Sequence, residues 1–204
     1  MAYNTTDRMA IRKAAHRAKL LETAIHLFGK RGYHATTVPM IVNASGSSTG
    51  SFYFYFRNKE DVFGAALERF GERIAEALNA AIAAAGSDPL QQMRAAVERL
   101  VLLMAENPDE ARILIVESSG LGGRLEQIRR GIVDSHARSV EQALAQLRPA
   151  LTPLEPTLVA RCWVGSVYES VYHWLEQPAA QRPPAETVAR AVADFNLRGI
   201  RAAQ

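Results

Sequence analysis

A single cysteine, Cys162, stands in 204 residues, which excludes an internal disulfide and any multi-cysteine metal site. No run approaches the roughly 18 to 20 continuous apolar residues of a membrane-spanning helix. The N-terminus has no apolar signal region. The expectation is a cytoplasmic chain without membrane association. Strand formers never cluster with period-two alternation, which leaves an all-α chain as the first reading. Lysine is scarce, and all four lysines lie within the first 60 residues. That segment holds nine Lys/Arg against Asp7, Glu22 and Glu60, a balance of +6, whereas the remaining 144 residues hold 15 Arg and 18 acids, a balance of −3. A basic end on a mildly acidic body suggests a polyanion contact at one end. The same excess also fits a solvated helix face.

What is present is organised around residues 36–60. Thr37 is suited to cap a helix over Val38 to Ala44, because its hydroxyl can accept from an orphan N–H of the first turn. Pro39 falls in that turn, where proline is tolerated. Gly46 supplies a turn that needs positive φ. Ser47, Ser48 and Thr49 offer a second cap, and Gly50 to Tyr55 make a second helix. Two short helices about a glycine-bearing turn outline a helix-turn-helix. Hydroxyls and tyrosines on the second helix suit base edges and phosphates.

Residues 1 to 9 read as a disordered arm. From Ile11 to Lys30, Ala14, Ala18, Leu21, Ile25 and Phe28 recur at helical spacing, a stripe expected to pack on Ile41 and Phe52. A fourth helix runs from Arg57-Asn58 to about Ala85, roughly 40 Å at 1.5 Å per residue. Asp88 or Ser87, with Pro89, opens the next, over Leu90 to Glu106. Further helices follow at Pro108 to Ser118, Arg124 to Leu147, Leu158 to Leu175 and Ala185 to Ala202. Proline-rich links lie at 148–156 and 178–184. The total is nine helices.

The segment from Arg17 to Phe63 resembles the TetR/AcrR family of transcriptional repressors. The resemblance is carried by Gly32-Tyr33, Thr36-Thr37-Val38, Ile41, Gly46, Ser48, Gly50, Ser51-Phe52-Tyr53, Tyr55-Phe56, Asn58-Lys59-Glu60 and Phe63. It implies an N-terminal three-helix DNA-binding domain over 1–57 and a helical ligand-binding and dimerisation domain over 58–204. It implies DNA contacts from Arg17, Thr37, Ser48, Thr49, Ser51, Tyr53, Tyr55 and Lys59, with Phe52 and Phe56 as core. Pro39, Met40, Ser47 and Thr49 depart from the residues usual in the family, so fewer direct base hydrogen bonds are expected and more reliance on phosphates. An effector pocket, also implied, takes as candidates Phe70, Met104, Arg112, Ile113, Glu117, Trp163, Tyr168 and Tyr172. The alternative for each is plain core or surface packing.

The sequence therefore predicts a ligand-responsive repressor that binds a palindromic double-stranded operator as a homodimer and is released by a small, mostly apolar effector. The dimer would form through the helices at 158–175 and 185–202. No cofactor or metal is expected. The alternative is a dimeric DNA-binding regulator with no small-molecule effector. An enzyme fits poorly, because Cys162 and His173 lie eleven residues apart on one predicted helix, about 16 Å by rise.

Overall fold

A computed structural model describes residues 3–147 and 155–201. Among them are nine α-helices and no strand. In order these are α1 (Tyr3–Arg31), α2 (Val38–Ser45), α3 (Thr49–Tyr55), α4 (Lys59–Ala84), α5 (Pro89–Glu106), α6 (Pro108–Arg112), α7 (Gly123–Gln146), α8 (Pro156–Glu176) and α9 (Ala185–Arg201). A π turn, Ile113–Glu117, continues α6, and a short 3-10 turn, Ala179–Gln181, precedes α9.

Local chemistry sets most of the boundaries. Thr37 accepts from the Met40 N–H, Ser48 from the Ser51 N–H and Asn58 from the Asp61 N–H. Asp88 caps α5 ahead of Pro89 by accepting from the Leu90 N–H. Gly46 closes α2 in the left-handed region at φ 62°, where a residue with a Cβ would be strained.

Two expectations are corrected. The segment read as a disordered arm is helical from Tyr3 onward. No glycine or proline interrupts the chain between Tyr3 and Gly29, and alanine, leucine, lysine and arginine are strong helix formers. The single helix expected over Pro108 to Ser118 is an α-helix followed by the π turn, with the Ser118 N–H bonded five residues back to the Ile113 carbonyl. The proline-rich link at 148–156 lies mostly outside the described residues.

The head is built from α1 to α3. Leu20, Leu21, Ala24, Ile25 and Phe28 of α1 are buried against Ile41, Val42, Phe52 and Phe56. Val62, Phe63, Ala66 and Leu67 of α4 extend that cluster without a break into the body. There α4 packs on α5, α5 on α9, and α7 on α8 and α4.

Head and body meet where α1 crosses α6. A Cβ placed on Gly29 would lie 2.6 Å from the Asp109 Cβ and 2.7 Å from its Cα. The two backbones are therefore as close as a glycine allows. Asp109 also reaches His26 Nδ1 at 3.0 Å and Lys30 Nζ at 3.4 Å. Beside it Glu110, whose side chain is 7% exposed, accepts from Arg69 at 2.8 Å and from Arg73.

Gly29→Ala should lower stability by about 1 to 3 kcal/mol, the usual cost of overpacking a fixed contact. Gly131 is also helical but has nothing within 4 Å of a built Cβ. Gly131→Ala should therefore raise stability by about 0.5 to 1 kcal/mol. Thermal unfolding of both variants checks the pair, and equal shifts would contradict the close approach at α6.

Candidate DNA-reading head and effector body

The α3 helix presents Thr49, Gly50, Tyr53 and Phe54 to solvent and buries Phe52. Tyr53 is 55% exposed and Phe54 67%, high values for aromatic rings on a seven-residue helix. Ser48 is exposed and holds the first turn as its cap. Thr37 and Arg17 are exposed as well. The Arg17 guanidinium lies 5.1 Å from the centre of the Phe56 ring.

Three of the eight predicted DNA contacts, Ser51, Tyr55 and Lys59, are half-buried and held by residues of other segments. Ser51 Oγ lies 2.9 Å from His16 Nε2, and Ser47 Oγ lies 3.0 Å from the same nitrogen. Tyr55 is half-buried and stacks on the His16 ring at 5.8 Å. Lys59 Nζ donates to the Tyr33 carbonyl at 2.8 Å and sits 4.2 Å from the centre of its ring. Burial pulls the Lys59 ammonium below its usual pKa.

His16 was missed by sequence reasoning. It sits at the head of a row of i+4 steps, His16, Leu20, Ala24 and Phe28, that marks the inner face of α1. That row could have placed it against the recognition helix.

In the body, Phe70, Met104, Ile113 and Trp163 are closed into the core. Arg112 pairs with Glu176 at 2.9 Å. Glu117 Oε2 accepts from the Tyr33 N–H at 2.8 Å, which ties the π turn to the residue that Lys59 holds by its carbonyl. Tyr172 faces solvent, 38% exposed. Tyr168 OH lies 3.0 Å from His136 Nδ1, a polar pair between α7 and α8. A narrow apolar crevice lies between α5, α8 and α9, lined by Val101, Ala105, Val171, Trp174, Ala185 and Val188. It is too tight for a water molecule, and none of the eight effector candidates lines it.

Residues 20–66 match the family model described as bacterial regulatory proteins, tetR family. That stretch contains the turn, the recognition helix and the first turns of α4. The head is that of a TetR-family transcriptional regulator. As a family these are DNA-binding regulators and not enzymes.

The chain is 27% identical over 156 residues to the uncharacterised helix-turn-helix transcriptional regulator YdgC of Bacillus subtilis, a match that covers 74% of this chain and 76% of that protein. Other curated regulators match over shorter stretches, in which the chain covers 18 to 44% of their length. Among solved structures, the fatty acid degradation regulator FadR from Bacillus halodurans superposes with a TM-score of 0.80 at 18% identity, covering 91% of this chain and 96% of that one. AibR, solved with isovaleryl coenzyme A and operator DNA, gives a TM-score of 0.75 at 22% identity, covering 88% and 97%. At these identities the structural matches speak for the fold.

His136 supplies a pH test of the body. Burial lowers its pKa to about 4, against about 6.5 in an unfolded chain. The unfolded state binds the extra proton between those values, so this contribution to stability is complete above pH 6.5 and is lost as pH falls toward 4. Between pH 7 and pH 5 the loss should be about 2 kcal/mol. Asp61 and Glu126, held near 2 by neighbouring arginines, lose their contributions only at lower pH. Urea unfolding of His136→Gln should lack the pH 7 to 5 decline; a decline equal to the wild type would refute its assignment to His136.

Proposed function

We propose that the protein is a ligand-responsive repressor that binds a palindromic operator as a homodimer and leaves it when a small, mostly apolar effector binds. The observation that carries the DNA half is the outward face of α3, where Thr49, Tyr53 and Phe54 stand exposed beside the cations of α1. Buried aromatics would be core; these rings face a partner that can stack on them or meet a thymine methyl. In this reading residues 1–57 are the reading unit and 58–204 the effector and dimer unit, at work in the cytoplasm.

Thr49 and Tyr53 meet bases or phosphates directly. Arg17, Thr37 and Ser48 meet the backbone. Ser51, Tyr55 and Lys59 reach phosphates by exchanging the internal partners they hold in the free protein.

The dimer reading rests on α8 and α9. Leu158, Cys162, Gly165 and Tyr172 line the outer side of α8, and Thr187, Ala191 and Phe195 that of α9. Leu158 is 58% exposed and Phe195 69%. Pairing these faces about a twofold axis buries both and sets two reading heads about 34 Å apart, one turn of DNA.

The effector reading draws support from AibR, which was solved with an acyl coenzyme A. Phe70, Met104, Ile113 and Trp163 would form the apolar wall, with Tyr168, Tyr172, Arg112 and Glu117 as polar groups at its margins. Because the first four are buried within one core cluster, an effector enters by selecting an opened body. Opening then shifts Glu117 and the α6 seam, and with them the spacing of the heads. The closeness of that packing is also the observation that favours the second reading, a dimeric regulator without effector.

Tyr53→Ala should weaken binding to a duplex enriched on the wild-type protein by at least about tenfold, or about 1.4 kcal/mol, with the dimer intact by sedimentation. Unchanged affinity would remove α3 as the reading helix. Phe195→Asp should shift the dimer toward monomer in the same sedimentation runs; a dimer of undiminished strength would count against α9. Titration of Trp163 and Trp174 fluorescence with acyl coenzyme A esters of increasing chain length tests the effector. Saturable change with release of DNA supports the first reading, and DNA that stays bound throughout supports the second.

A further inference from the structure

We propose that the N-terminal turns of α1, up to Lys13, are a second DNA-contacting element that grips the phosphates of duplex flanking the half-site. The proposal rests on α3 being the reading helix. It concerns residues outside the stretch that matches the family model, which begins at residue 20.

The course of α1 supplies the geometry. From Arg8 to Lys19 none of its residues is buried, and Leu20 is, so these turns are not held by the core. Its contacts with the end of α3 climb outward. Arg17 lies over Phe56, which is 2% exposed. One residue earlier His16 touches Ser47, Ser51 and half-buried Tyr55. Earlier still, Lys13 Nζ lies 5.7 Å from the centre of Phe54, which is 67% exposed. Toward its N-terminus α1 thus rises from the core to the outward surface of the recognition helix. The ten residues from Tyr3 to Arg12 continue past it, about 15 Å at 1.5 Å per residue.

Charge identifies the occupant. From Arg8 to Lys19 the chain carries Arg8, Arg12, Lys13, Arg17 and Lys19 and no acid. No ion pair with any of the five occurs among the described residues. Arg8 with Arg12, and Lys13 with Arg17, are like charges one helical turn apart, an arrangement that weakens an isolated helix. A row of phosphates removes that repulsion and orders the segment. A lipid surface or an apolar groove on a protein fits less well. The large exposed apolar residues here, Met9 and Ile11, lie two positions apart, about 200° around the helix, and form no stripe of large side chains.

The test uses the full chain with Arg8, Arg12 and Lys13 all changed to Gln. Two probes are titrated across a salt series: a mixed-sequence 40-base-pair duplex, and a duplex enriched from a random pool on the wild-type protein. Each phosphate that the variant no longer neutralises should reduce the magnitude of the slope of log K against log salt by about 0.9. The reduction should appear on both probes, because phosphates carry no sequence. Hydroxyl-radical protection on the enriched duplex should retreat from its flanks, while thermal stability stays at the wild-type value. Unchanged slopes on the mixed duplex would overturn the proposal. Failure to enrich any sequence would instead count against the reading of α3, and the mixed duplex would still decide the role of α1.

Discussion

The contact of α1 with α6 is the constraint on which the rest of the molecule depends. Gly29 allows the two backbones to touch at Asp109, and no residue with a Cβ fits there without moving one of them. The neighbouring Glu110 is nearly buried between Arg69 and Arg73. A buried carboxylate left without one of its partners costs several kcal/mol, so this pairing resists gradual loosening. A joint fixed by backbone contact on one side and by buried charge on the other moves as a unit or not at all. Such a joint passes a displacement of α6 to α1, where a softer interface would absorb it.

Much of this was legible in the sequence, and for local reasons. Thr37, Ser48, Asn58 and Asp88 announce helix starts because capping is chemistry within three residues. Gly46 announces a turn because its conformation excludes side chains. The apolar stripe from Leu21 to Phe28 predicts its own burial. What escaped is either non-local or too short to show a period. The π turn differs from an α-helix by one residue per turn, and five residues cannot display that difference in a hydrophobic pattern. The first turns of α1 carry no apolar stripe, so they read as coil although nothing in them breaks a helix.

The candidate site divides in the same way. Thr49 and Tyr53 could be placed on an exposed face from the sequence alone, since they sit on a short helix whose buried side is Phe52. The engagement of Ser51 and Tyr55 by His16 could not, because it joins residues 35 and 39 positions apart. In the body the aromatic and apolar candidates were chosen for residue type, and type does not distinguish a pocket wall from a packed core. Phe70, Met104 and Ile113 are packed in this conformation, so whatever room the body offers depends on helix movement that side-chain chemistry does not encode.

Tyr33 is held from two sides. Glu117 accepts its N–H and Lys59 donates to its carbonyl, while Gly32 takes φ 83° so that the Glu117 carboxylate can approach. The three residues lie on three separate segments, and a single peptide stretch serves as the fulcrum between them. A fulcrum works in both directions. In the proposed reading, a phosphate that draws Lys59 away from Tyr33 loosens the residue that anchors the π turn, just as a loosened π turn releases the lysine. Coupling through such a point is reciprocal by thermodynamic necessity: in that reading an occupied operator bears on the body as strongly as an opened body bears on the operator.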